Sequence, residues 1–183
     1  MHIIDHPADF KCGTRLLLLK GRYKDGVTIQ RSITRVTHSS MAFDTALIEL
    51  RELARQGERI YASAGARSMH KAIHEFKRRQ LDADCSGDAE FFYKTLSQQF
   101  ESALRQEVSQ EQKLWLFDCD TAEDTALAEE ALRLYYRDEF TPYRYATKTG
   151  THFIVRPFNR ANLSDNAKAL VHTNPLMLWA YWL

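Results

Sequence analysis

The chain has 183 residues, 44% of them hydrophobic and 27% charged, which suits one globular domain with a real core. The net charge of +1 excludes a gross basic field for nucleic acid, although a local basic groove remains compatible with it. Cys12, Cys85 and Cys119 are widely separated, so no C-x-x-C zinc or redox site is formed, and this usage fits a reducing cytosol. Residues 1–13 read as a loose lead-in without the apolar segment of a signal peptide. No stretch reaches the roughly 20 apolar residues of a membrane span, the uncharged tail over 169–183 coming nearest, so the expectation is a cytoplasmic protein with no membrane partner. Residues 15–23 and 27–36 read as strands of a hairpin around the Lys24-Asp25-Gly26 turn.

Ser39 or Ser40 caps a helix over 41–56, whose Phe43, Leu47, Leu50 and Ala54 recur at helical spacing, and Gly57 stops it. A short strand over 59–64 and a cap at Ser68 lead to a helix over 69–81. A break follows at 82–87, and then one long helix over 88–108 with Phe92, Leu96, Phe100 and Leu104 on a single face. Residues 113–120 form the strand on which the rest of the reading turns. Its alternation sets Leu114, Leu116, Asp118 and Asp120 on one face, and Trp115 and Phe117 on the other. Cys119 reads as a small buried hydrophobe. Thr121 with Asp124 resembles a capping box with the shorter acid, opening a helix to about residue 140. Strands over 143–147 and 152–157 flank a turn at 148–151, and the apolar tail from residue 169 is compatible with a strand or a short helix. The predicted class is α+β, a mostly antiparallel sheet packed by helices, in a single domain over 1–183.

Two carboxylates at a strand end are a seat for a hard divalent cation such as Mg²⁺ or Mn²⁺. On the later strand His152, Ile154 and Arg156 share a face. A hairpin that returns this strand beside the first would gather Asp118, Asp120, His152 and Arg156, with Arg144, Lys148 and Arg160 nearby in sequence. The metal would neutralise phosphate oxygens, and the histidine and arginines would hold them.

The segments Leu116-Phe117-Asp118-Cys119-Asp120 and Thr149-Gly150-Thr151-His152-Phe153-Ile154 resemble the archaeo-eukaryotic primase and primase-polymerase superfamily. The run over 148–159 also looks like small phage-type proteins with this core. The resemblance covers residues 113–158. It implies an RRM-like core, metal ligation by Asp118 and Asp120, a nucleotide contact from His152, and phosphate contacts from Lys148, Arg156 and Arg144. It also implies a nucleotide or nucleic acid as partner, with nucleotidyl transfer if the chain is active. The superfamily carries a third carboxylate on a later strand, where this chain offers Asn174. An inactive interaction protein that retains the fold is therefore the rival reading.

Other signals are weaker. Phe117-Asp118-Cys119-Asp120-Thr121 resembles the nucleophile motif of haloacid-dehalogenase-type phosphatases, but Ala122 stands where that family has Thr or Val. Arg67, Ser68 and Lys71 at a helix start form a second phosphate candidate. Lys77, Arg78 and Arg79 read as a solvated helix end. Trp115, Trp179 and Trp182 read as core. His70 and His74 have metal-binding spacing, but Lys71 replaces the glutamate of H-E-x-x-H, which argues against a zinc protease. Neither a G-x-S-x-G elbow nor a Walker A loop occurs.

Overall fold

A computed structural model describes residues 1–21, 31–135 and 142–181. It shows two antiparallel sheets and six α-helices among these residues. Strands β2 (Arg15–Gly21) and β3 (Ser32–Thr37) pair from Arg15↔Thr37 to Lys20↔Ser32. The turn expected at 24–26 lies outside the described residues. Helix α1 (Ser40–Leu53) starts where Ser39 accepts a bond from the Ala42 N–H at 3.2 Å. It ends earlier than expected, at Ala54, and Gly57, with φ 82°, serves the turn into β4 (Glu58–Ser63) instead.

The helical region differs most from expectation. Helix α2 (Met69–Ser86) runs straight through the segment expected to break it. Polar Asp82, Asp84 and Ser86 meet solvent there while Ala83 is buried, and Gly87, left-handed at φ 88°, ends the helix. The expected long helix is divided at Thr95 into α3 (Ala89–Lys94) and α4 (Leu96–Arg105). The Thr95 hydroxyl donates back to the Phe91 carbonyl at 2.9 Å, a local bond that competes with the helical ladder.

The second half builds one continuous unit. It comprises β5 (Trp115–Cys119), α5 (Ala122–Tyr135), β6 (Tyr143–Ala146), β7 (Thr151–Val155), α6 (Asp165–Ala169) and β8 (Val171–His172). Its strands lie in the order β6-β7-β5-β8. Thr121 and Asp124 form the reciprocal cap of α5: each backbone N–H bonds the other's side chain, at 3.1 and 3.0 Å. The part of the expected helix at 136–140 lies outside the described residues.

The tail resolves as strand. β9 (Leu176–Tyr181) enters the first sheet between β4 and β1 (His2–Ile3), giving the order β1-β9-β4-β2-β3. The lead-in is therefore not loose. His2 and Ile3 pair with Tyr181 and Ala180, Ile4 and His6 are buried, and residues Ala8–Lys11 form a 3₁₀ turn. One hydrophobic cluster joins α1, the first sheet and Leu116, Tyr145 and Ile154 of the second. Another sits under α5 and α6, with Phe117, Cys119, Phe153 and Val155. A smaller one ties Leu16 to Ala72 and Leu104. Trp179 is buried at 2% exposure, Trp115 is half-buried, and Trp182 lies outside the described residues.

Candidate functional site

Strands β5 and β7 lie side by side with Asp118 opposite His152 and Leu116 opposite Ile154. Facing partners in an antiparallel pair share a face. Asp118 and His152 therefore sit on the face turned toward the first sheet, whereas Phe117 and Phe153 turn toward the helices. The Asp118 Oδ1 lies 2.7 Å from the His152 Nε2, and the side chains are 40% and 12% exposed, so the acid is the more accessible partner. On the next strand Tyr145 stands opposite His152, and its hydroxyl lies 2.8 Å from Nδ1. That hydroxyl accepts the Leu178 N–H at 3.3 Å, which leaves its own proton to donate to Nδ1. These partners assign the proton of a neutral His152 to Nε2, facing Asp118. Burial holds the Tyr145 phenol well above the ordinary tyrosine range, so it remains a neutral donor.

A second imidazole, His172 of β8, places Nε2 3.9 Å from Asp118 Oδ2. The sequence reading overlooked Tyr145 and His172. Alternation along β6 would have aligned Tyr145 with His152, but the partnership of β8 with β5 has no local signal.

The close packing of the site depends on Gly150. A Cβ there would stand 1.9 Å from the Cys119 carbonyl oxygen and 3.0 Å from the Asp120 Cα. The small residue before Thr151-His152 thus lets the β6–β7 turn lie directly against the end of β5. This turn is closed by the Thr147 N–H to the Gly150 carbonyl at 2.8 Å. It carries the exposed Lys148 to the same end of the sheet as Asp120, itself exposed just past β5. The Cys119 thiol beneath is pushed up to about 12, first by burial and then by the charges of Asp124, Asp118, Asp120 and Glu129. Of those carboxylates, Glu129 is paired with Arg144 and Asp124 accepts the Thr121 N–H, which leaves Asp118 and Asp120 as the acids at this end of the sheet.

The expected arginines are not gathered here. Arg144 lies on the helix-facing side of β6, bonded to Glu129 of α5 at 2.9 Å and stacked over Phe153 at 5.4 Å. Arg156 follows the far end of β7, roughly 13 Å along an extended strand from His152. Arg160 lies over the Trp115 ring at 5.0 Å. The α2 start is filled by protein partners. Ser68 caps the Lys71 N–H, and Lys71 Nζ donates to the Gln110 carbonyl at 3.0 Å. Arg67 turns inward to donate to Asn174 Oδ1 at 2.8 Å. Lys77, Arg78 and Arg79 stand in mid-helix rather than at a helix end, and Arg78 and Arg79 are paired with Glu75.

Asn174 accepts from Arg67 and Gln110 and donates to the Arg105 carbonyl, so it knits the scaffold together. Among the described residues no group of three or more His, Cys, Asp or Glu side chains converges as a metal cage. No described helix is long and apolar enough to cross a membrane. Comparison with family models, with curated proteins and with solved structures found no match.

Proposed function

We propose that this protein binds the phosphates of a nucleotide or nucleic acid through a divalent ion, Mg²⁺ or Mn²⁺, at the end of β5. The core would be of primase-polymerase type. The observation that carries this reading is the pairing of Asp118 with His152 across adjacent strands, beneath a turn that Gly150 allows to lie on the end of β5. The succession β5-α5-β6-β7-α6-β8, with strand order β6-β7-β5-β8, supports it, because it is a βαββαβ order of the RRM-like kind.

The donor set fits the ion. Mg²⁺ takes one or two carboxylates and completes its shell with water and substrate phosphate. Asp118 and Asp120 would hold it, and the bound ion would supply the positive charge that draws phosphate to this end of the sheet. His152, whose Nε2–H faces Asp118, would donate to a phosphate oxygen once the ion holds that carboxylate, and Lys148 would add charge from the turn. Arg144 and Arg156 stand apart from this arrangement and leave the proposal.

Calorimetric titration of a nucleoside triphosphate, with and without Mn²⁺, tests the reading. Wild type is expected to bind only with Mn²⁺, and Asp118→Asn to lose binding while melting as wild type does. Binding that ignores both Mn²⁺ and the substitution would overturn it.

One observation favours a second reading, an interaction protein without catalysis. The resemblance leaves Asn174 in sequence where a third carboxylate is expected, and in the structure that side chain is committed to Arg67 and Gln110. Nucleotidyl transfer is therefore the less supported extension of the proposal. The antiparallel sheet around Asp118 is not the doubly wound parallel setting of a haloacid-dehalogenase-type phosphatase.

A further inference from the structure

Helix α2 carries a second chemical pair away from β5. His70 and His74 lie one turn apart, both exposed, with Nε2 atoms 3.2 Å from each other. Their ring centroids are 4.5 Å apart and the planes are inclined at 68°. Two bonds of about 2.0–2.1 Å from Zn²⁺ to imidazole nitrogen, at a tetrahedral angle, separate the nitrogens by about 3.3 Å. The pair already has the bite of a chelate.

We propose that His70 and His74 bind a borderline divalent transition ion, with Zn²⁺ as its representative, through their two Nε2 atoms. Imidazole donors select this class, whereas the oxygen-seeking Mg²⁺ or Mn²⁺ belongs with aspartates. In the ion-free protein one Nε2–H donates to the other ring. On binding, the donor ring carries its proton on Nδ1 instead, both Nε2 lone pairs face the ion, and two neutral rings release no net proton.

Two of the neighbouring cations are engaged elsewhere. Lys71 Nζ is bonded to the Gln110 carbonyl, and Arg78 is held by Glu75 and Asp82. Among the described residues no third His, Cys, Asp or Glu converges on the pair, so water fills the remaining positions. The site is thus open, as ions that accept an exchangeable ligand require. An ion here bridges the first two turns of α2, and because it binds the folded helix it stabilises the protein.

The test is a Zn²⁺ titration of the full untagged chain by calorimetry, paired with thermal melting. The proteins are wild type, His70→Ala, His74→Ala and Asp118→Asn, with circular dichroism to verify that each is helical. Wild type and Asp118→Asn are expected to bind one Zn²⁺ and to melt higher with it. Each histidine variant is expected to lose both responses. The proposal is overturned if wild type ignores Zn²⁺, if both responses survive the histidine substitutions, or if they vanish in Asp118→Asn.

Discussion

Two histidines meet strand β6 through neighbouring tyrosines, and they are held in opposite ways. His6 donates from Nε2 to the Leu178 carbonyl at 2.8 Å and accepts from the Tyr143 hydroxyl at Nδ1, at 2.9 Å. It is 5% exposed and packed against Trp179 and Tyr145. His152 also meets a tyrosine, but its other nitrogen faces a carboxylate that solvent reaches. The backbone of Leu178 stands between them, its C=O on His6 and its N–H on Tyr145. Nitrogens that are both engaged by neutral groups, one buried and one half-buried, make a latch between the two sheets. A nitrogen aimed at an accessible acid can exchange that partner for a ligand. Residue type alone did not separate the two; the second partner did.

The largest expected effect breaks the His152 half. Gly150→Ala sets a methyl against the Cys119 carbonyl, which is backbone and cannot swing aside. A loss of about 3 kcal/mol in urea unfolding is expected, because close-packed backbone must shift. If the variant is as stable as wild type, the turn does not rest on β5 in this way.

The next effect breaks the other half. His6→Ala strips partners from buried Leu178 and half-buried Tyr143 and leaves a void, for an expected cost of about 2 kcal/mol at pH 7.5. Burial chiefly lowers the affinity of His6 for a proton below the ordinary value of 6.5, against the pull of the Leu178 carbonyl and Asp5, and with a smaller push from His152. The unfolded chain then binds the proton more readily. The contribution of His6 is complete above pH 6.5 and declines as pH falls below it, by at most about 1.4 kcal/mol per pH unit. The gap between wild type and His6→Ala should accordingly narrow from pH 7.5 to pH 5. A gap that widens on acidification would mean that His6 is held charged.

The smallest effect sharpens the contrast. Thr121→Ala removes one arm of the α5 cap beside Asp120 and should cost about 1 kcal/mol. Unchanged nucleotide affinity in that variant would separate the cap from the site.

Local chemistry was readable where it repeats. The apolar alternation of β5 and the caps at Ser39, Ser68 and Thr121 follow from side-chain period and capping residues, whereas the return of β7 beside β5 was only one arrangement that the hairpin allowed. Long-range partners were not readable. The burial of His6 depends on β9, and the reach of His172 to Asp118 depends on β8 pairing with β5, neither of which leaves a periodic mark. The arginines were misjudged because proximity in sequence says little across a sheet. One residue along β6 separates Tyr145, which faces His152, from Arg144, which faces α5. The continuation of α2 through 82–87 shows a polar, exposed segment held helical up to its glycine stop.

The placement of β9 between β1 and β4 also sets a timetable. The hairpin of β2 and β3, with β4 beside it, can assemble from neighbouring sequence, and the unit from β5 to β8 is contiguous. β1 has no ladder to join until Leu176–Tyr181 has been synthesised. During translation His2–Ile3 therefore wait for β9, and closing the first sheet is a step of high contact order. The β6 tyrosines, in place earlier, receive the His6 latch only when that last strand arrives.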